Sequence, residues 1–342
     1  MDAPISENTQ PFVNPFAAHQ YMLRERLKIL LATLDPLLYP DVVRALEGEG
    51  KLLAQSSESK SSPPAIPAGS WSLLVLLVAE SIVGNMDSFY VGSVAIALEC
   101  SVCAIDLLDD IIDGDQTTTV QALGQARVLN VATALLMLAQ RAILSVGDVA
   151  PQHLLRLLNT LQESAFVTLA GQHWDILAES RPNQDFTREE CIDMAAAKAG
   201  SLMSLACRLG ALCAGADETL CEQFAEMGEL LGIAHQLDND SHDLYYLLQG
   251  ATLSTATSGK SDLERGKKTL PVVLAAQSEN TLEKQILSAD EEKQEHLKAL
   301  HEGITTTWGI CLLYRERARD RLQEIGARQP IDPLLRLLLG FT

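Results

Sequence analysis

The sequence predicts an all-α protein built as a single large helical bundle, and three observations support that prediction. Apolar residues recur with helical spacing along most of the chain, whereas the period-2 alternation of strands is hard to find. Aromatic residues make up only 5% of the 342 residues, which weakens any strand signal further. Hydrophobic residues make up 47%, which is enough apolar material for one large core.

The predicted helices follow one another with turn residues between them. An amphipathic stretch over 19–46 comes first, and a Ser- and Pro-rich stretch near 55–70 then predicts a mobile loop outside the core. Several later segments are apolar on most faces, which is typical of helices surrounded by other helices. These later segments are 71–83, 91–113, 122–144, 153–180, 188–214, 218–248, 270–287 and 305–326.

The domain organisation predicted from these patterns is simple. Residues 1–18 are polar, include Pro11 and Pro15, and are expected to form a flexible N-terminal arm. Residues 19–342 are expected to form one helical domain. The arm lacks the basic-then-apolar layout of a signal peptide, so we do not expect secretion.

Charge and cysteine usage narrow the class of protein. The net charge is −19 with no basic block, which argues against a nucleic-acid partner because phosphate backbones need a Lys/Arg surface. Seven cysteines without framework spacing indicate reduced thiols, and we therefore expect a cytoplasmic protein. Cys100 and Cys103 form a lone CxxC pair, which we interpret as buried packing rather than a zinc site.

The longest apolar stretch, residues 91–108, bears on membrane association. Glu99 and Asp106 interrupt it, and charges in hydrocarbon are costly. We therefore expect that the chain is not an integral membrane protein.

The segment 91–113 carries the first acidic cluster. No Lys or Arg occurs between residues 91 and 115, although carboxylates that converge on a buried face repel one another and are poorly solvated. This predicts a bound cation, and oxygen-only ligands favour Mg²⁺ over zinc. The alternative is a helix end that emerges into water. At 3.6 residues per turn, one stripe of this helix carries Glu99, Asp106, Asp109 and Asp113. Asp110 lies beside that stripe.

The segment 229–243 carries a second polar patch on an otherwise apolar helix. One stripe of this helix carries Gly232, Gln236, Asn239 and Asp243. Asp240 lies next to that stripe. Mg²⁺ is commonly held by one or two carboxylates together with substrate phosphates. The two patches, more than about a hundred residues apart, therefore predict a central cavity in which metal ions clamp a diphosphate between two helices.

These motifs resemble the trans-isoprenyl diphosphate synthase, or polyprenyl synthetase, family. The family's first aspartate-rich motif resembles Asp-Asp-Ile-Ile-Asp at 109–113, and its second is similar to 236–243, with Asn239 in place of the usual first Asp. The Gly-Gln-x-x-Asp helix of the family resembles 171–175. Its diphosphate-contacting Lys helix resembles 198–202, and its Gly-Lys-x-Thr-x-Pro element resembles 266–271. Order and spacing agree from about residue 68 to residue 341.

The resemblance implies a fold, a cofactor and a set of roles. The fold is the isoprenoid synthase class I type, and the cofactor is Mg²⁺, about three ions with the diphosphate bound. The implied catalytic residues are Asp109, Asp110, Asp113, Lys198 and Lys267. The implied metal ligands are Asp109, Asp110, Asp113, Asn239, Asp240 and Asp243. The residues that the resemblance implies for substrate binding are Gln172, Asp175, Lys198, Gln236, Lys260 and Lys267. Family members are commonly dimers, which implies a homodimer here.

The sequence departs from the chain-elongating members of the family. Those members have a basic second site, but the corresponding stretches here, 66–71 and 114–119, contain no Lys or Arg. Lys51 and Lys60 are the alternative candidates for those cations. The departures resemble a divergent branch that includes transferases for a tryptophan of bacterial competence pheromones, and terpene synthases.

The walls of the cavity can also be predicted. Small and apolar residues one to two turns before Asp109 are candidates for the prenyl pocket, namely Ser101, Ala104 and Ile105. Aromatic faces can stabilise a cation, and we expect such faces opposite these residues. The candidates are Phe89, Phe166 and Trp174.

The function predicted is that of a Mg²⁺-dependent prenyltransferase of isoprenoid biosynthesis. It would ionise an allylic isoprenyl diphosphate, transfer the prenyl group to a possible second acceptor, and release diphosphate. One alternative is a terpene synthase that cyclises or rearranges a single prenyl diphosphate. Another is a non-catalytic subunit of a heteromeric prenyl diphosphate synthase, for which the Asn239 substitution argues mildly.

Overall fold

A computed structural model describes residues 14–54, 68–84, 88–147, 149–249, 262–281 and 289–326. Every regular element within those ranges is helical, and no strand occurs there. The helices are α1 Ala17–Leu31, α2 Tyr39–Leu46, α3 Ser70–Val83, α4 Ser88–Asp113, α5 Thr118–Leu123, α6 Gln125–Leu144, α7 Pro151–Ala178, α8 Arg188–Ala195, α9 Ser201–Cys213, α10 Glu218–Leu248, α11 Asp262–Arg265, α12 Leu270–Thr281 and α13 Ala289–Ile325.

The all-α prediction is confirmed, and two predicted helices are divided. The stretch 19–46 forms α1 and α2, because Pro36 lies in the turn between them and a proline removes a helical N–H donor. The stretch that begins near residue 122 is interrupted at Gly124, whose φ of 75° leaves the helical region. Helix α13 begins well before the predicted residue 305, and it ends at Ile325.

Local signals explain several helix starts. Thr187 and Glu190 form a reciprocal capping box at the start of α8. The Asp217 carboxylate accepts a hydrogen bond from the Leu220 amide at 2.9 Å, which caps α10. A single π-helical turn, Ala196–Gly200, joins α8 to α9 without a break. Such turns shift the register of a helix and are frequent at functional sites.

Helix α10 connects the hydrophobic core. Leu231 packs in the largest apolar cluster, to which α1 to α7 and α9 contribute. Leu237 and Leu244 belong to two smaller clusters, formed with α8, α12 and α13. One helix therefore spans all three clusters, and the position of its polar face is set by packing along its whole length.

Two helices, α4 and α6, are long and apolar enough to cross a membrane. The most apolar window of α4 is 83% buried inside the bundle, as expected for the core helix of a globular protein. The corresponding window of α6 is 44% buried. Length and composition alone are thus weak evidence that either helix spans a membrane.

Candidate active site

A cavity of about 510 Å³ opens between the central helices. Its walls come from α3, α4, α7, α8, the π-helical turn, α9, α10 and the segment 267–269. Both acidic clusters line it: Asp109 and Asp113 from α4, and Asn239, Asp240 and Asp243 from α10. The tertiary structure therefore brings together residues that lie more than about a hundred positions apart in sequence, as the periodicity predicts.

Asp109 is a buried carboxylate of the α4 cluster. Burial raises its pKa to about 6, against the opposing attraction of the Lys198 and Lys267 ammonium groups. Its Oδ1 atom is buried and has no hydrogen-bond partner. A buried carboxylate oxygen without a donor is unfavourable by itself, so Asp109 is suited to a cationic ligand.

Asp110 points away from the cavity lining. Its Oδ2 accepts a hydrogen bond from the Thr117 hydroxyl at 3.0 Å, and Thr117 also caps α5. Burial raises the pKa of Asp110 to about 6, and this hydrogen bond opposes the shift. Asp110 thus ties the end of α4 to the following helix, besides adding negative charge next to Asp109.

Two basic residues from a distant segment hold Asp113. Its side chain is 8% exposed and forms ion pairs with Lys267 and with Arg265, the latter at 2.8 Å. Arg265 also pairs with Asp115 at 2.7 Å. The segment that follows α11 is therefore fixed to the end of α4 by buried ion pairs, and Lys267 is placed in the cavity wall.

The π-helical turn aims Lys198 into the cavity. The Lys198 ammonium donates to Asp175 on α7 at 2.7 Å, and both side chains are largely buried. Helix α7 approaches this turn closely because residue 171 is glycine: a Cβ there would lie 2.8 Å from the Ala197 side chain. Gly171 allows α7 to lie close to the turn, and Asp175 then orients the Lys198 side chain by their ion pair.

The second cluster on α10 is more exposed to solvent. Gln236 donates from Nε2 to Asp240 Oδ1 at 2.9 Å, and Asn239 lies 3.4 Å from the His235 ring nitrogen. Asn239 and Asp243 are exposed to the cavity mouth. Gln172 on α7 also lines the cavity, and its buried Nε2 has no hydrogen-bond partner.

The residues that face the cavity fit a hard divalent cation. The donor set consists of carboxylate and amide oxygens, and the unpartnered Asp109 oxygen is one of them. Over the described ranges, no three His, Cys, Asp or Glu side chains already form a closed metal-binding group. The two clusters stay on separate walls, so any ion would need further oxygens from a ligand between them.

Not every predicted residue lies in the cavity. Ile105 lines it, whereas Ser101 and Ala104 are buried on other faces of α4, and Ser101 donates to the Ala97 carbonyl at 3.0 Å. Phe166 is 71% exposed on the outer side of α7, so its prediction as a cavity wall is corrected. The reason is that cavity residues of α7 lie near Gln172, on the opposite stripe.

The other two predicted aromatic walls are placed elsewhere too. Phe89 lies under the Arg26 guanidinium, which is 3.6 Å from the ring centroid. Trp174 packs against Phe186 in one of the smaller apolar clusters. Lys260, predicted to bind the diphosphate, and Lys60 lie outside the described residues.

The structure adds residues that sequence analysis did not assign to the cavity. Trp71 and His235 line it and meet edge to face, with ring centroids 6.4 Å apart. Asp106 also lines it and forms an ion pair with Lys51. The acidic stripe contained Asp106, but periodicity alone carries no information on which distant side chain lies opposite.

Comparisons with known proteins support the family resemblance. The profile of the polyprenyl synthetase family matches residues 71–304. The (2E,6E)-farnesyl diphosphate synthase of Mycobacterium bovis is 32% identical over 204 residues, covering 58% of this chain and 54% of that one. The tryptophan prenyltransferase ComQ of Bacillus spizizenii is 29% identical over 205 residues, covering 60% and 65%.

Solved structures share the fold. A geranylgeranyl pyrophosphate synthase superposes with a TM-score of 0.75 and 20% identity, covering 96% of this chain and 99% of that one. The chain spans about half the length of the farnesyl diphosphate synthase in the sequence match. Since the family profile covers well over half of the sequence, from Trp71 to Ile304, the chain belongs to the polyprenyl synthetase family.

Proposed function

We propose that this chain is a Mg²⁺-dependent prenyltransferase of isoprenoid biosynthesis that takes an allylic isoprenyl diphosphate as its prenyl donor. One observation carries the proposal: two oxygen-rich clusters, on α4 and α10, face a single cavity whose wall also contains Lys198 and Lys267. That arrangement fits a diphosphate with its metal ions. The names of the relatives, a farnesyl diphosphate synthase and a tryptophan prenyltransferase, support the same class of donor.

Six residues would hold the metal ions. Bound Mg²⁺ would neutralise the diphosphate and make it a better leaving group. The ligands we propose are Asp109, Asp110 and Asp113 on α4, and Asn239, Asp240 and Asp243 on α10. Of these, Asp110 lies outside the cavity lining and accepts a hydrogen bond from Thr117, so it would have to change rotamer to bind a metal ion and otherwise contributes its charge next to Asp109.

Two lysines would bind the diphosphate directly. Lys198 is oriented before any ligand arrives, because Asp175 accepts from its ammonium at 2.7 Å. Lys267 is held by Asp113, and a diphosphate would compete with that carboxylate for it. Gln172 carries a buried amide with free donors, which suits a phosphate oxygen or a metal-bound water.

The chemical step we propose is ionisation followed by capture. The C1–O bond breaks with its electron pair on the diphosphate oxygen, and the allylic cation remains between apolar walls such as Ile105 and Leu202. The π-electron pair of an acceptor then forms the new bond to C1, and the proton that the acceptor loses leaves with the diphosphate. Exclusion of water protects the cation from hydrolysis.

Product analysis tests the proposal. The purified chain would be incubated with geranyl, farnesyl or geranylgeranyl diphosphate, with and without Mg²⁺, and with isopentenyl diphosphate as a separate arm. We expect release of diphosphate that depends on Mg²⁺ and disappears in K198M, while K298M, on an exposed face of α13, retains it. A chain that releases no diphosphate with any donor would contradict the proposal and favour the partner-subunit alternative.

The terpene synthase alternative uses the same ionisation. It differs only in that an internal double bond captures the cation. Hydrocarbons or alcohols formed without any acceptor would support it. Longer prenyl diphosphates that require isopentenyl diphosphate would instead identify a chain-elongating enzyme.

We also propose that two copies associate through the outer face of α7. Three large apolar residues form an exposed stripe there, and such a stripe on a bundle helix is typical of an interface. We expect a homodimer by analytical ultracentrifugation, and F166E should shift it toward monomer. The stripe consists of Leu155, Phe166 and Leu177.

All seven cysteines are free and buried, which supports a cytosolic location.

A further inference from the structure

The end of the cavity at Trp71 differs chemically from the end that holds the lysines. The ammonium groups that line the cavity come from the π-helical turn and from the segment 267–269, namely Lys198, Lys267 and Lys268. Helices α3, α4 and α10 have no Lys or Arg at all. The lining near Trp71 is aromatic, apolar or acidic, and Asp106 supplies the acid.

Among the described residues, Lys51 on the segment that follows α2 is a cation close to this end; Arg24, which donates from Nε to the Leu52 carbonyl at 2.8 Å, does not line the cavity. The Lys51 ammonium forms an ion pair with Asp106, and the Lys51 side chain is only 15% exposed. The Asp106 side chain is 50% exposed and faces the cavity. Asp106 therefore stands between Lys51 and any ligand that enters from the cavity.

The position of Lys51 is fixed by its neighbours. The Leu52 amide donates to Glu99 Oε1 at 2.8 Å, and the Ser72 hydroxyl donates to Glu99 Oε2 at 2.9 Å. The Gly69 amide donates to the Gly50 carbonyl at 3.0 Å. The buried Glu99 thus joins the segment of Lys51 to the start of α3 beside Trp71, so the ammonium cannot easily move away.

We propose that Asp106 determines specificity: by neutralising Lys51 it closes the Trp71 end of the cavity to a second diphosphate and leaves that end for an uncharged acceptor. This inference rests on the proposed function, since it concerns the second substrate of the same cavity. A diphosphate carries at least about two negative charges and needs cations that line its site, as Lys198 and Lys267 do. Lys51 does not line the cavity, and the carboxylate of its partner Asp106 does. The edge-to-face pair of Trp71 and His235 instead offers an uncharged, planar surface.

The charge pair also predicts what its removal would do. Replacing Asp106 by Asn leaves the Lys51 ammonium mostly buried, next to Glu99, without its main partner on the cavity side. A buried charge that loses its partner is strongly unfavourable, so an anionic ligand that restores the pairing would bind more tightly. D106N should therefore gain affinity for a diphosphate at this end.

The test uses two titrations by isothermal calorimetry on the full chain with Mg²⁺. In the first, farnesyl thiolodiphosphate, which ionises slowly, fills the donor site. In the second, isopentenyl diphosphate is added to the saturated protein. We expect the wild type to bind it more weakly than about 1 mM, D106N to bind at least about tenfold more tightly, and K51M/D106N to return to the wild-type value.

The outcomes separate the two proposals. Failure of the first titration overturns the proposed function and this inference with it. If the first titration succeeds, wild-type binding as tight as that of D106N, or no gain in D106N, overturns the inference alone. D106S serves as a second variant, and thermal melts of each variant show that the compared proteins are folded.

Discussion

The two acidic faces of the cavity differ in how far they are exposed to solvent. On α4, Asp113 is 8% exposed and is paired with Lys267 and Arg265, while Asp109 is buried beside Lys198. On α10, Asn239 and Asp243 are exposed, and Gln236 donates a hydrogen bond to Asp240 at 2.9 Å. The first face is buried and organised by ion pairs before a ligand binds, and the second is more open to solvent.

This difference indicates separate tasks for the two helices. A preorganised cluster avoids reorganisation when charge develops on the leaving group. An exposed cluster is better suited to admit the ligand and complete its coordination. We therefore expect substitutions on α4 to affect the chemical step, and those on α10 to affect mainly the affinity for metal ions and substrate.

The largest expected effect is that of D109N. The change removes the negative charge of a buried carboxylate whose Oδ1 has no hydrogen-bond partner among the described residues, and we expect kcat for diphosphate release to fall by about 10²–10³-fold. D243N on the exposed face should lower kcat/KM by about tenfold, mostly through the Mg²⁺ requirement. Steady-state kinetics across a range of Mg²⁺ concentrations measures both. Equal losses in the two variants would remove the distinction between the faces.

The next prediction changes the distance between the acidic face of α10 and the π-helical turn that carries Lys198. In G232A, the new Cβ would lie 2.3 Å from the Ala199 carbonyl oxygen, so α10 must move away from the π-helical turn that carries Lys198. We expect a loss of about 3 kcal/mol in unfolding free energy, together with weaker diphosphate binding. G309A on α13, where nothing lies within 4 Å, is the matched control and should be neutral or slightly stabilising. Urea unfolding measures both variants.

The third prediction concerns pH and the metal-free protein. Burial raises the pKa of Asp109 and Asp110 to about 6, above the value of about 3.9 in an unfolded chain. The folded state therefore binds protons more tightly, so the stabilisation from these groups is present below pH 4 and is lost as pH rises through 6. In EDTA at pH 7.5, D109N should melt about 2–4 °C above the wild type, and the difference should vanish near pH 4.

Thermal melts at several pH values check this result. D243N is the control, because its carboxylate is exposed and surface substitutions have small effects. Mg²⁺ should stabilise the wild type above pH 6 but have less effect on D109N. A D109N gain that is the same at every pH would mean that the buried charge is not its cause.

The smallest expected effect is that of Q236L. The change removes the hydrogen bond from Gln236 to Asp240, so Asp240 samples more orientations. We expect the Mg²⁺ concentration for half-maximal activity to rise about threefold, with kcat nearly unchanged. Q152L, at an exposed position near the start of α7, should have no effect. A large loss of kcat in Q236L would show that α10 also takes part in the chemical step.

The helical class, and six of the residues that face the cavity, could be predicted from spacing alone. Asp109, Asp113, Gln236, Asn239 and Asp243 were assigned to polar stripes on apolar helices and Asp240 to a position beside one, and the structure places all six in the cavity lining. Periodicity succeeds here because a helix shows its faces in the order of its residues. It failed for Phe166, since nothing local distinguishes an aromatic that faces a cavity from one on an outer apolar stripe.

The sequence by itself thus determined the fold class, the helix faces that carry the acids, and the family to which their spacing corresponds. Only the tertiary structure decided which cation meets which carboxylate: Lys267 and Arg265 with Asp113, Lys198 with Asp175, and Lys51 with Asp106. The physical reason is separation along the sequence: helical periodicity links residues three or four positions apart, whereas these ion pairs join segments that are brought together only by packing of the core.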